Sequence, residues 1–578
     1  GPLGIAGSVA GDATLSSAGG IAFGAFSAGS LAASAGGAIS QTAALTVAGT
    51  SSFTDSLSGA TITLTTPTNA LAGAVTLDTA GTGANASLTN AAPGGSSLSV
   101  SVGGSLTEIN AGPLGIAGSV AGDATLSSAG GIAFGAFSAG SLAASAGGAI
   151  SQTGALTVAG TSSFTDSLSG ATITLTTPTN ALAGAVTLDT TGTGANASLT
   201  NNLATTLAAS TIGGALAIDD KTGSLTQTGA LTVGGASSFT TQATGGNITL
   251  NGNIAGGGTV TLTSAGTIAQ SSGVITTPTL TGSSAGGAAL NDANAVTVFG
   301  PFSNTLSGAL SFTNGQSLST TGALTSAGSV SLTASAGNIT VTVPVMANGG
   351  DIVFEAPLGA VTLMSSLDAS NYILIGAGSV LQPAGASLTF TSQLTVIDVI
   401  PGDKYVPGAV PPPRNSGYNT NLASFVASFA PLTDVGKSIP TGMPLITLGT
   451  LSNPGTLILL GNDATITDVG QLTVGKLAVI ASGGTANLFG AIGNISGQAA
   501  PSNLQNAQAY VVINGGAPSI SSNNYKFNAC SIGSPTCVVV SLLVPVQPNL
   551  LNDFDFITRA PFDDIDIERM DTGQEDVY

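Results

Sequence analysis

The chain has 578 residues, with 27 acids against eight bases, a net charge of −19 and neither histidine nor tryptophan. That balance has the wrong sign for gripping nucleic-acid phosphates, so no nucleic-acid partner is expected. The missing imidazole excludes a Ser–His nucleophile, a histidine acid–base relay and histidine metal ligation, and two cysteines cannot make a four-thiolate zinc site, so no metal or cofactor is expected.

Charged residues make up 6% of the chain and apolar residues 43%. Regular Ile, Val and Leu interrupt the Gly, Ala, Ser and Thr runs, so the composition supports a buried core rather than a disordered linker. No apolar run approaches the roughly 18 residues of a membrane-spanning helix. No secretory leader is visible, and the sequence reads as a mature or truncated piece of a larger precursor.

From the first residue the dominant signal is repetition. Residues 1–90 recur at 112–201, an offset of 111, with two differences, Ala43 against Gly154 and Ala80 against Thr191. A shorter theme drifts along the chain: QTAALTVAGTSSFT at 41–54, QTGALTVAGTSSFT at 152–165, QTGALTVGGASSFT at 227–240 and TGALTSAGSVSLT at 321–333. Arrays tolerate such duplication because each unit touches only its neighbours, whereas a single active site rarely does.

Within the repeats the period is two. Ile62 with Leu64, Val75 with Leu77, Leu98 with Val100 and Val102, Ile248 with Leu250, Val260 with Leu262, Ile339 with Val341 and Val361 with Leu363 alternate with small polar residues. These read as short strands about 10–13 residues apart with Gly-rich corners. A sandwich array and a parallel β-helix (β-solenoid) both fit. The low aromatic content, 4%, favours the solenoid. Its stacked rungs also disfavour like charges one above another, which suits so few charged residues. The expectation is an all-β, right-handed parallel β-helix of roughly 20–25 residues per coil, a rod on the order of 110–140 Å.

The expected organisation is a repeat unit over 1–111, a second copy with diverged repeats over 112–400, a Pro-rich excursion or linker over 401–420, further coils over 421–527, and a Cys-pair loop with an acidic tail over 528–578. Pro401, Pro407, Pro411, Pro412 and Pro413 exclude a central strand in the excursion. Cys530 and Cys537 are separated by six residues. A stapled turn, an anchoring hook and a free redox pair are the alternatives, and closing so short a loop contributes only about 2–3 kcal/mol. The tail carries nine acids after Asn552 together with Phe554, Phe556, Phe562 and Tyr578, a solvated tail or a docking peptide. In the body, Asp219, Asp220 and Lys221 read as a solvated corner rather than a carboxylate pair for glycoside hydrolysis. No catalytic residue is assigned and an enzyme is not expected.

The motifs ALTVAGTSSFT, ATITLTT and GAVTLDT resemble those of the filamentous-haemagglutinin-like exoproteins, large two-partner-secretion adhesins of Gram-negative bacteria. The resemblance covers most of residues 1–400. It implies a right-handed parallel β-helix, export through an outer-membrane transporter as partner, a bacterial cell-surface location and roles in adhesion or biofilm. It also implies that Cys530 and Cys537 form a small loop holding the C-terminus in the transporter, with residues 553–578 on the periplasmic side. The family's N-terminal secretion domain, with its NPNG-type motifs, has no counterpart in the sequence. The functional expectation is an adhesin or scaffold contacting glycans or other cells. The alternative is a structural subunit that self-associates into extracellular filaments or matrix.

Overall fold

A computed structural model describes residues 1–383, 387–392, 394–398, 445–462, 465–468, 472–482, 485–488, 492–495, 508–514 and 530–531. The Pro-rich excursion at 401–420, Cys537 and residues 553–578 lie outside the described residues. The fold is an all-β parallel β-solenoid with no helix among the described residues. It divides into two compact units, Gly1–Pro278 and Thr279–Tyr578, which together carry about 19 turns.

Strict alternation builds each coil. In Ser96–Val102, Ser96, Leu98, Val100 and Val102 point inward while Ser97, Ser99 and Ser101 point to solvent. Each strand pairs in parallel with the corresponding strand one coil on, so its backbone groups are satisfied from the coils on either side. Leu3 lies opposite Ile21, 18 positions further, and Ser51 opposite Val75, 24 further. The coil therefore varies in length around the expected value, and the extra residues are accommodated at the corners.

In the first unit the chain alternates between two ladders. The first runs through Leu3–Ser8, Ile21–Ala28, the pair Ile39–Gln41 and Leu45–Val47, the pair Ile62–Leu64 and Ala70–Leu71, Ala86–Asn90, Leu106–Asn110, Asp123–Ser128, Ser141–Ala146 and Ser162–Asp166. The second runs through Asp12–Ser17, Ser30–Ala35, Ser51–Asp55, Ala74–Thr79, Ser96–Val102, Leu114–Val120 and Ile132–Ala139. The 111-residue offset thus contains an odd number of half-coils. Ile21–Ala28 sits in the first ladder and its copy Ile132–Ala139 in the second. The same sequence is displayed on opposite ladders with the same pairing, including the register shift at Ile5/Gly7 that recurs at Ile116/Gly118.

Later coils of the first unit hold three strands each, Leu225–Gln227, Leu231–Val233 and Ser237–Thr241 pairing with Ile248–Leu250, Ile254–Gly256 and Val260–Ser264. In the second unit three-strand coils follow the single long strand Ala288–Asn304. Leu310–Asn314, Leu318–Thr320 and Leu324–Ser326 pair with Val330–Ala334, Ile339–Val341 and Val345–Ala347.

The interior is less restricted to small residues than the aromatic count suggests. Phe23, Phe53, Phe134, Phe164, Phe239, Phe299, Phe302, Phe312, Phe354 and Phe390 are fully buried. Phe23 meets Phe53 edge-on at 6.2 Å, and Phe134 meets Phe164 in the same way. At about 1.5–3 kcal/mol for each buried ring, these few aromatics contribute far more than their number implies.

Candidate functional site

The outward rows are the most regular exposed chemistry in the first unit. On the second ladder, Ser16, Ser34, Thr54, Asp78, Ser101, Ser119, Ser138 and Thr157 occupy one register position in successive coils. On the first ladder, Ser127, Ser145, Thr165, Asp189, Thr211 and Thr232 do the same. All are exposed or half-exposed. Neighbours in a row stand about 4.7–4.9 Å apart, the spacing of paired strands. The first four of the second row are the 111-residue copies of the first four of the other, so duplication by half-coils has placed one pattern on both ladders.

The start of the first-ladder row lies in a shallow open cleft of about 630 Å³. Thr89, Ile109, Ser127, Ser145 and Ser167 line it across successive coils. Ile109 is half-exposed, an apolar point among hydroxyls. A row of donors and acceptors around one carboxylate suits many weak contacts with an extended partner rather than enclosure of a small molecule.

Inside, the polar groups are mostly structural. Asn69 and Gln41 exchange side-chain hydrogen bonds at 2.8 and 2.9 Å, and Asn69 Oδ1 also accepts the Leu45 amide. Asn180 and Gln152 repeat the arrangement in the second copy. Asn90 accepts the Leu71 amide and donates to the Leu71 carbonyl, closing the corner between coils, while Ser96 bridges Asn90 to Asn110. Asn85 and Asn247 accept the amides of Ser105 and Thr267 one coil on. Such bonds leave the buried backbone ends satisfied at the corners.

The acids divide by side of strand. Asp219 is half-buried, pairs with Lys221 at 2.6 Å and accepts two bonds from the Gln242 amide group. Asp220 departs from the expected solvated corner. Alternation turns it inward, where it is fully buried and accepts the Gly223 amide at 2.6 Å. Burial raises its carboxyl above the usual range against the lowering effect of its hydrogen bonds. Asp55 and Asp166 are buried copies of one another, each accepting an amide two residues on; burial raises both carboxyls and that bond partly offsets it. Glu108 is the extreme case. It is fully buried between Leu88 and Leu126 on its ladder, both carboxyl oxygens lack a partner among the described residues, and burial holds it well above the ordinary glutamate range.

Among the described residues no group of three acids or cysteines is placed to hold a metal. Cys530 opens the short strand Cys530–Ser531, which pairs with Val512 and Ile513. The expected partner Cys537 and the tail residues Phe554, Phe556, Phe562 and Tyr578 lie outside the described residues.

Residues 10–78, 121–189, 194–254 and 285–345 each match a family described as repeats of unknown function (DUF5649). With the solenoid geometry, that decides the general nature of the chain. It is a repeat protein of the β-helix kind. The first two matched segments are the 111-residue duplicates, and the other two are diverged copies. No curated protein and no solved structure matches the chain.

The sequence contained two signals that alternation alone does not reveal. The recurring SSFT places a phenylalanine between inward-facing positions, and PTNA, at 67–70 and 178–181, supplies the corner asparagine in both copies.

Proposed function

We propose that this repeat β-solenoid is an adhesive or scaffolding stalk of a bacterial cell surface, making extended weak contacts with glycans or other cells through its outward hydroxyl rows. The observation that carries the reading is the repetition of one row, Ser16 to Asp78 and Ser127 to Asp189, on both ladders of the first unit. A surface of that kind gains strength by multiplying weak contacts, not by one enclosed site. The resemblance to filamentous-haemagglutinin-like exoproteins supports secretion through an outer-membrane transporter, with Cys530 and Cys537 as the retaining loop. The structural alternative, self-association into filaments or matrix, is favoured by the open strand edges that a solenoid coil presents at its end.

The test is attachment of beads coated with the full chain to a glycan array and to bacterial cells, run beside electron microscopy of the soluble chain at rising concentration. Saturable attachment, weakened about tenfold or more by Ser34→Asp, Thr54→Asp, Ser145→Asp and Thr165→Asp together, supports the adhesive reading. Continuous polymers with no attachment replace it with the structural one.

A further inference from the structure

The cleft on the first ladder follows from corner lengths. Three residues join Asn110 to Leu114, Ser128 to Ile132 and Ala146 to Ile150. The corners on either side are longer: five residues join Leu64 to Ala70 and Asn90 to Ser96, and six join Asp166 to Ile173. The short corners leave a groove floored by Ala111, Ala129 and Gly147, with Pro67 and Ser167 of the longer corners at its ends. Along the floor the amides of Ala111, Ala129, Gly147 and Ser167 donate to the carbonyls of Asn90, Asn110, Ser128 and Ala146 one coil back, at 2.8–2.9 Å. These main-chain donors are used, so a ligand must bond to side chains. Four such junctions, each about 4.8 Å, give a groove about 19 Å long.

Thr89, Ile109, Ser127 and Ser145 share one register position along its rim, and Ile109 interrupts the hydroxyls. In Leu106–Asn110 the alternation turns Glu108 inward, fully buried with both carboxyl oxygens unpartnered among the described residues, and leaves Ile109 50% exposed. Each side chain stands on the side that its polarity disfavours. Such conflicts between pattern and polarity concentrate at functional positions. Here the outcome is an apolar side chain midway along a hydroxyl-lined groove.

None of the residues lining the groove is charged. A charged ligand would lose hydration there without gaining a partner, and a polyanion would meet the chain's net charge of −19. An extended peptide needs partners for its own amides and carbonyls, and the floor's amides are already bonded from coil to coil. A neutral sugar chain brings hydroxyls to pair with hydroxyls and C–H faces to cover Ile109. An extended β-1,4-linked hexose chain also advances per sugar by close to the coil spacing, so successive rings meet equivalent positions of successive coils.

We propose that this groove binds a neutral, extended β-1,4-linked glycan laid along the solenoid axis, one sugar per coil over roughly four or five sugars. The groove gives the adhesive reading, on which this assignment rests for the kind of partner, a defined glycan and a defined seat.

Cellohexaose, mannohexaose and chitohexaose, with hexagalacturonate as the charged counterpart, are titrated into the soluble full chain at up to millimolar concentration and followed by calorimetry. Saturable binding of at least one neutral hexamer is expected, with the uronate about tenfold weaker or worse. Ala129→Trp, which fills the exposed floor, should weaken the neutral hexamer about tenfold or more, and Ile109→Ser several-fold. Ser99→Trp, at an exposed position on the second ladder, should leave it unchanged. Absence of binding by all three neutral hexamers overturns the proposal, and so does equal binding of the uronate. Equal binding by the Ala129→Trp and Ser99→Trp variants places the sugar elsewhere and overturns it too; if Ala129→Trp alters the circular dichroism, Ile109→Ser decides the same point. Failure here leaves the adhesive reading standing where coated beads still attach, and hexamer binding without bead attachment keeps the groove and removes that reading.

Discussion

Leu3 and Leu114 begin the same stretch of sequence, pair upward with Ile21 and Ile132 in the same register, and differ in what lies below. Leu114 is 1% exposed while Leu3 is half-exposed. Burial in this protein is therefore a property of the pair of neighbouring coils and not of the repeat alone. A solenoid's stability divides into a contribution from each coil and one from each junction, and these two leucines differ by one junction.

The substitution pair Leu3→Ala and Leu114→Ala reads that junction directly. Leu114→Ala removes fully buried methyl groups between two coils and should cost about 2–5 kcal/mol, as core leucine truncations do. Leu3→Ala should cost less than about 1 kcal/mol, because water already reaches the side chain. Urea unfolding, with amide exchange to localise the effect, distinguishes them. Equal losses would mean that the first coil is covered in solution.

The covering coil carries its own defect. Glu108 occupies an inward position between Leu88 and Leu126, and its carboxyl is unpartnered. Glu108→Leu should stabilise the protein by about 1–3 kcal/mol at neutral pH by removing a buried unsatisfied polar group. The sign of the pH effect follows from the raised folded pKa. Glu108 binds its proton more tightly folded than unfolded, so its contribution is fully present below the ordinary value of 4.5 and is lost as pH rises toward the folded value. Glu108→Leu should remove that part of the decline; Asp55, Asp166 and Asp220, raised in the same direction, will leave a residue of it. Urea midpoints at pH 4, 6 and 8 measure the difference. A decline of the same size in the variant would assign the pH dependence to the aspartates.

The fold was legible because its strongest rule is local. Ile62 and Leu64, or Leu98, Val100 and Val102, announce an inward face by alternation, and the structure buries each of them. The exceptions arise where one position answers to a neighbour in another coil. Asp220 looks like part of a charged corner beside Asp219 and Lys221, but alternation overrides its polarity and turns it inward. The aromatic fraction hid the buried rings of Phe53 and Phe164, because composition does not report ladder position. The paired rows were hidden for a similar reason. The offset of 111 is visible in the letters, but its odd number of half-coils depends on corner lengths, such as 18 residues from Leu3 to Ile21 and 24 from Ser51 to Val75, which only the pairing reveals.

The smallest effect is expected from the largest deletion. Removing residues 91–201 joins Asn90 to Asn202, reproducing the native Asn201–Asn202 junction. The product equals residues 112–578 with alanine at the positions of Gly154 and Thr191, so every pairing downstream keeps its neighbours. The coils lost include the Ser96–Asn110 layer, and the surface that Leu114–Val120 buried against it becomes the half-exposed surface already seen at Leu3–Ser8. The remaining coils should unfold at the same urea concentration within about 0.5 kcal/mol, because distant junctions contribute independently. A cooperative loss of structure throughout the chain would show that junctions are coupled over many coils, and the contrast between Leu3 and Leu114 could then no longer be read as one junction.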